Sequence, residues 1–243
     1  MTISRKGFLA AAAVATSAAA VANVVPAKAA DNTAPAAAMP AGRAPLHFHV
    51  LKQNEYDHAA MNRVLTVSNP HKQVFESVNP LVVAPQIASV YIHMQNAMNA
   101  YEFSLGKGSL ATLAVLIGPS IVFALNDNMW KKYNIGAALN LDATNTYYRA
   151  NSSLAMGGGP DDPNSIYQDW SAQAVLKRGG AFMVCHNATT AVAGMLGAKA
   201  GVAPADALAD FKANMLPGFM LVPAGVAAVQ LAQENGWKLY TII

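Results

Sequence analysis

Short apolar runs that each lead into a helix-patterned stretch recur through the last third of the chain, and no other feature constrains its fold as tightly. Ala181 to Cys185 precedes a helical pattern over Thr189 to Lys199 and a second over Ala205 to Asn214, with Pro204 near its start. Phe219-Met220-Leu221-Val222 precedes a helix over Ala224 to Asn235 that ends at Gly236, and Lys238 to Ile243 closes the chain as a strand. Strands separated by helices return by crossover and not by hairpin. The pattern therefore predicts an α/β fold, a mainly parallel sheet with helices on both faces.

Upstream, Leu110 to Ile117 is uncharged and rich in Leu, Val and Ile, as expected of a strand buried on both faces. Gly118-Pro119-Ser120 then turns it into another helix running toward Trp130. Leu46 to Leu51 alternates in character and predicts a strand with Leu46, Phe48 and Val50 on one face. A helix is expected over Asp57 to Val67, with Asp57 as N-cap, and Pro80 and Pro85 bracket a turn. From Gln86 to Leu105, the residues Ile87, Tyr91, Met94, Met98, Tyr101 and Leu105 fall three or four apart, on one face of a helix of about five turns. That stripe reads as core packing in preference to a methionine-rich metal or partner site. Ile166 to Arg178 also predicts a helix, closed by Gly179-Gly180.

The front of the chain has a different character. Ser4-Arg5-Lys6-Gly7-Phe8-Leu9 opens it, an apolar, mostly alanine stretch runs to Val25, and Ala27-Lys28-Ala29 precedes Ala30. A charged start, an apolar middle and a small-residue cleavage site define a signal peptide over 1–29, cleaved near Ala29. The Ser-Arg-Lys-x-Phe-Leu order is similar to the twin-arginine translocation motif with lysine in the second position, which leaves the Sec route open. Thr16, Ser17 and Asn23 interrupt the apolar run and argue against a retained membrane anchor. The expected destination is the periplasm. Residues 30–45, made of Ala, Pro, Asn and Gly with few large apolar side chains, read as a disordered linker. Residues 46–243 then form the folded domain, and no stretch in it is long enough to span a bilayer.

Composition excludes several function classes. The chain is 53% hydrophobic and 12% charged, unlike a coiled coil or a disordered tail. Three of its 16 basic residues and none of its 13 acidic ones precede Ala30, so the remainder carries no net charge. Neither nucleic acid nor an anionic membrane surface has an electrostatic handle on it. No G-x-S-x-G, H-E-x-x-H, G-x-G-x-x-G or G-x-x-x-x-G-K-[ST] occurs, so hydrolase, zincin, dinucleotide and phosphate-loop readings lack their starting motif; Gly106-Lys107-Gly108-Ser109 is a helix end. His47 and His49 share a strand face, but no third ligand accompanies them, so no metal or cofactor is assigned.

Residues 140–165 are dominated by Asn, Asp, Ser and Gly, with breakers at Gly157-Gly158-Gly159-Pro160-Asp161-Asp162-Pro163. This insertion is either a lid, with Tyr147, Tyr148 and Arg149 over a pocket, or a solvated excursion whose aromatics pack back on the body. In a parallel sheet, ligands bind beyond the carboxyl ends of the strands. Three strand-end turns qualify: Gly118-Pro119-Ser120, Cys185-His186-Asn187 and Pro223-Ala224-Gly225. Cys185, the only cysteine, falls just before a helix N-terminus, where free N–H groups favour an anionic sulfur. It is the candidate nucleophile; the alternative is a buried small hydrophobe. His186 points to the opposite side of an extended segment, so it orients or packs and does not pair directly with the thiol.

Phe182-Met183-Val184-Cys185-His186-Asn187, together with Met220-Leu221-Val222-Pro223-Ala224-Gly225-Val226 and the Gln233-Glu234-Asn235-Gly236-Trp237 close, resembles the end of the DsrE/DsrF-like proteins. The resemblance covers Gly179 to Ile243 and, more weakly, Leu81 to Trp130. It implies a layered α/β/α fold, a homo-oligomer, and a sulfur-relay cysteine that carries sulfur as a persulfide, a role that falls on Cys185 alone. Gly118, Ser120, His186, Asn187, Pro223 and Gly225 would then shape the ligand-binding pocket. The partner would be a sulfur-donor or acceptor protein or a small sulfur compound. The chain departs from the family's cytoplasmic relay members in its export signal and its insertion. A different class of function on the same fold is a non-catalytic module that binds a small ligand or serves as a structural oligomer.

Overall fold

The described residues of the computed structural model are 48–242. Leu46, His47 and the expected signal and linker, 1–29 and 30–45, lie outside them, as does Ile243.

Five parallel strands form the sheet: β1 (Lys72–Ser77), β4 (Ala111–Leu116), β5 (Ala181–Cys185), β6 (Phe219–Val222) and β7 (Lys238–Ile242). Their spatial order is β6-β5-β4-β1-β7. A small antiparallel hairpin, β2 (Val82–Ala84) and β3 (Ile87–Ala88), follows β1. The helices are α1 (His58–Leu65), α2 (Ser89–Asn99), α3 (Asp127–Lys132), α4 (Ile135–Leu139), α5 (Ala172–Lys177), α6 (His186–Ala200), α7 (Pro204–Ala213) and α8 (Gly225–Glu234). The protein is thus an α/β fold with a parallel sheet flanked by helices.

Side-chain alternation divides the interior into two layers. Val74, Leu113, Val115, Met183 and Val222 face α1 and α8. Phe75, Ala114, Leu116, Phe182 and Val184 face the other way, against α2, the Gly118–Ala124 3-10 helix, α3, α6 and α7. Both sides of β4 and β5 are sealed, which is why their sequences are continuously apolar. β1 is as central as they are, yet the sequence reading passes over it. Only Val74 and Phe75 in KQVFES are strongly apolar; each goes to a different layer, and polar residues at its ends mask the strand.

Three expected elements take another form. Phe48 to Leu51 is irregular, Val50 is 83% exposed, and among the described residues no strand pairs with it. Alternation alone does not make a strand without a neighbour for its N–H and C=O groups. The five-turn helix is also cut at both ends: Ile87 belongs to β3, and Ala100–Ser104 is a π-helical turn. That turn advances the chain by an extra residue, so the face carrying Tyr91, Met94 and Met98 is buried while Leu105, in phase with it by spacing, is exposed. Finally, Ile166 to Arg178 divides into a 3-10 turn, Ile166–Gln168, and α5. Asp169 accepts from the backbone N–H groups of Asn151, Ser152 and Ser171, and the Ser171 hydroxyl accepts from Ala174 N–H as N-cap, so the helix begins only there. Burial alone raises the Asp169 carboxyl, but the donors from Ser152 and Ser171 outweigh it and hold it below the usual carboxylate value.

The insertion packs on the body. Tyr147 is buried against Phe123 and Trp130, and Tyr148 donates through its hydroxyl to the Pro217 carbonyl at 3.2 Å. No helix among the described residues is long and apolar enough to cross a membrane.

Candidate functional site

β4, β5 and β6 are parallel neighbours, so the turns that follow them gather at one edge of the sheet. Cys185 ends β5 and is the N-cap of α6; its Sγ accepts from the Ala188 N–H at 3.4 Å. Its carbonyl accepts from Thr189 Oγ1 at 2.8 Å, which fixes the first turn of the helix. By strand alternation Cys185 shares a face with Met183, the α8 side. There Gly225, the first residue of α8, backs onto it: a Cβ on Gly225 would lie 3.0 Å from Cys185 Cβ and 2.5 Å from Ile117 Cγ1. Glycine is required because any larger residue would lift α8 off the strand end. The α8 N-terminus has no side-chain cap, so two helix N-termini meet around the cysteine. The thiol is also nearly covered, with Cys185 5% exposed.

His186 faces a different set of neighbours. It is 2% exposed, and neither ring nitrogen has a hydrogen-bond partner. Burial pushes its pKa below the usual histidine value; Lys212 and His49 act in the same direction, and Glu55 opposes them. His49 in turn pairs with Glu55 at 2.8 Å. Asn187 and Pro223 are half-buried at the same edge.

Gly118 and Ser120 turn toward β1. Gly118 has φ +58°, and a Cβ there would sit 2.9 Å from the Val78 carbonyl oxygen. Ser120 is fully buried, with Oγ 2.5 Å from the Ser77 carbonyl and 2.9 Å from that of Ile117. Its hydroxyl is occupied in tying the ends of β1 and β4 together. The wall beside Cys185 comes instead from Ile117, which the sequence reading passes over because it looks like the last residue of a buried strand. Among the described residues no group of three or more His, Cys, Asp or Glu is placed to hold a metal ion.

Compared with known protein families, with curated proteins and with solved structures, the chain matches none.

Proposed function

We propose that the protein is an exported sulfur carrier of the DsrE/DsrF type, in which Cys185 holds sulfane sulfur as a persulfide. The observation that supports this most directly is the placement of Cys185 at the carboxyl end of an inner strand, its Sγ capping α6 and its Cβ packed beside Gly225 at the uncapped start of α8. N–H groups at two helix starts favour negative charge, and a persulfide is an extended sulfur anion. In the loading step the Cys185 sulfur attacks a sulfane sulfur of a polysulfide. A new S–S bond forms and the donor's S–S bond breaks; the departing sulfur chain keeps the electron pair and takes the proton lost by the thiol. Transfer to an acceptor thiol is the same exchange in reverse. The small exposure of Cys185 restricts the donor to a narrow, unbranched one. The reading carries with it a signal peptide through Ala29, a periplasmic location and a homo-oligomer. Intact mass spectrometry tests it: polysulfide adds sulfur to the reduced wild-type chain and none to Cys185→Ser, and equal gain on both overturns it.

A second reading is favoured by the 5% exposure itself. Cys185 is then a packed small side chain, and the fold serves as a ligand-holding or structural module. In that case the thiol takes up no sulfur and resists alkylation in the native state.

A further inference from the structure

At the amino ends of the strands, the end of the sheet away from Cys185, a cavity of about 320 Å³ lies between α1 and the starts of β4, β5 and β6. Met61 and Leu65 fix α1 to the core, and the residues beside them, Ala60, Arg63, Val64 and, just past the helix, Val67, stand three or four apart and form one wall. Ala181 and Met220, at the starts of β5 and β6, stand in the other. These apolar side chains are within reach of a ligand: Val67 is 38% exposed, and Val64, Ala181 and Met220 are half-buried. The volume falls at the lower end of the usual range for ligand pockets, about 300–1,000 Å³.

The polar groups of the wall decide which apolar molecule fits. Thr112 is buried, and its hydroxyl already donates to Met98 Sδ at 3.7 Å. No acidic residue lines the cavity, and Arg63 is its one charge. Arg63 is exposed, and it makes no ion pair among the described residues. Because the strands are parallel, the C-termini of α1, α5 and α8 come to this end of the sheet, where their partial negative charge opposes an anion. Carbonyls at these ends are already occupied, however: Leu65 accepts from Trp237 Nε1 at 2.8 Å, Asn235 from Lys72 Nζ at 2.6 Å, and Val175 from the Gly180 N–H at 2.9 Å. The full charge of the guanidinium then outweighs them, and its planar fork matches a carboxylate. We propose that this cavity binds a small apolar monocarboxylate, such as a medium-chain aliphatic acid, with its chain between Val64, Val67 and Met220 and its carboxylate on Arg63. This site does not depend on Cys185 carrying sulfur.

The test is calorimetric titration of the full chain with butanoate, hexanoate and octanoate, beside 1-octanol and octylammonium. Octanoate binds saturably at one site per chain. Affinity rises about fourfold per CH₂ along the acids, as expected for a methylene leaving water, and octylammonium, like-charged with Arg63, is the weakest of the octyl ligands. Arg63→Gln, at an exposed position, weakens octanoate about tenfold, as expected for a lost charge-assisted hydrogen bond, and leaves 1-octanol unchanged. Ala60→Leu, which fills the cavity from a half-buried helix position, weakens all the octyl ligands. Cys185→Ser leaves every affinity unchanged, which separates this site from the sulfur reading. No saturable octanoate binding to the folded wild-type chain overturns the proposal, and so does octanoate binding that Arg63→Gln or Ala60→Leu leaves at full strength. If octanoate does not bind and Arg63→Glu lowers the mass of an oligomer in light scattering, the groove is instead a contact between copies of this chain.

Discussion

His186 is a polar residue in an apolar position. Both ring nitrogens are buried without partners, so the folded protein holds the ring neutral. The unfolded chain takes up a proton near the ordinary value of 6.5, whereas the folded chain resists protonation until lower pH. More protons bound by the unfolded state means stability rises with pH: the contribution is complete above about 6.5 and is lost as pH falls from there toward the depressed folded value. Melting temperatures of wild type and His186→Leu, followed from about pH 7.5 to about pH 5.5, therefore diverge, with wild type falling more steeply. At the upper end the leucine variant is within about 1 kcal/mol of wild type or more stable, since no hydrogen bond is lost. Parallel curves would show that the ring finds a partner in solution. The sequence shows this residue next to Cys185 and reads it as orienting or packing. It does not show the depressed pKa, because burial sets it together with Lys212, His49 and Glu55, which come from distant segments.

At the scale of elements, the junction between α2 and α5 rests on Arg178. Its side chain is 3% exposed and donates to Gln95 Oε1 at 2.5 Å, Asn99 Oδ1 at 2.6 Å and Glu102 Oε2 at 3.0 Å, while the guanidinium lies 4.8 Å from the centre of the Tyr167 ring. Gln95 in turn donates to the carbonyls of Ile166 and Asp169, so one polar network holds α2, its π-helical extension and the approach to α5. Arg178→Ala leaves buried acceptors unpaired and destabilises by about 2–5 kcal/mol in denaturant unfolding. Arg178→Lys recovers only part of this, because a single ammonium cannot reproduce the planar fork. A loss under about 1 kcal/mol in the alanine variant would contradict this account of the junction. The same network explains why this region was the least legible in the sequence. Periodicity reads long helices over Gln86 to Leu105 and Ile166 to Arg178, but Asp169, Ser171 and the π turn redirect the chain through hydrogen bonds that no apolar spacing reports. By contrast β4, β5, β6 and α8 are legible nearly to the residue, since the three strands are continuous apolar runs and a Gly or Pro stands close to one end of every one of these elements.

For the molecule as a whole, the order β6-β5-β4-β1-β7 puts the final strand at a sheet edge. Leu239 and Tyr240 on it are 40% and 42% exposed, as side chains on an edge strand can be. The homo-oligomer belongs to the proposed function alone, and if that reading holds, light scattering of the full chain gives more than one protomer mass. A single-protomer mass would remove oligomerisation from the account. The parallel sheet follows from the alternation of elements; that the turns after β4, β5 and β6 meet is expected only if their strands are neighbours, and the order β6-β5-β4 makes them so. The membership of the site follows only in part: Gly225, expected in the pocket, lies beside the cysteine, whereas Gly118 and Ser120 face β1 and the other wall comes from Ile117. Strand order shows which turns converge, but only side-chain packing shows which atoms face each other. The central claim is that this nearly covered cysteine still accepts sulfur. Its most direct test is the intact mass of the reduced chain before and after exposure to inorganic polysulfide, beside Cys185→Ser. The account predicts added sulfur on wild type alone; unchanged mass in both, with Cys185 also silent to alkylation in the native state, would contradict it.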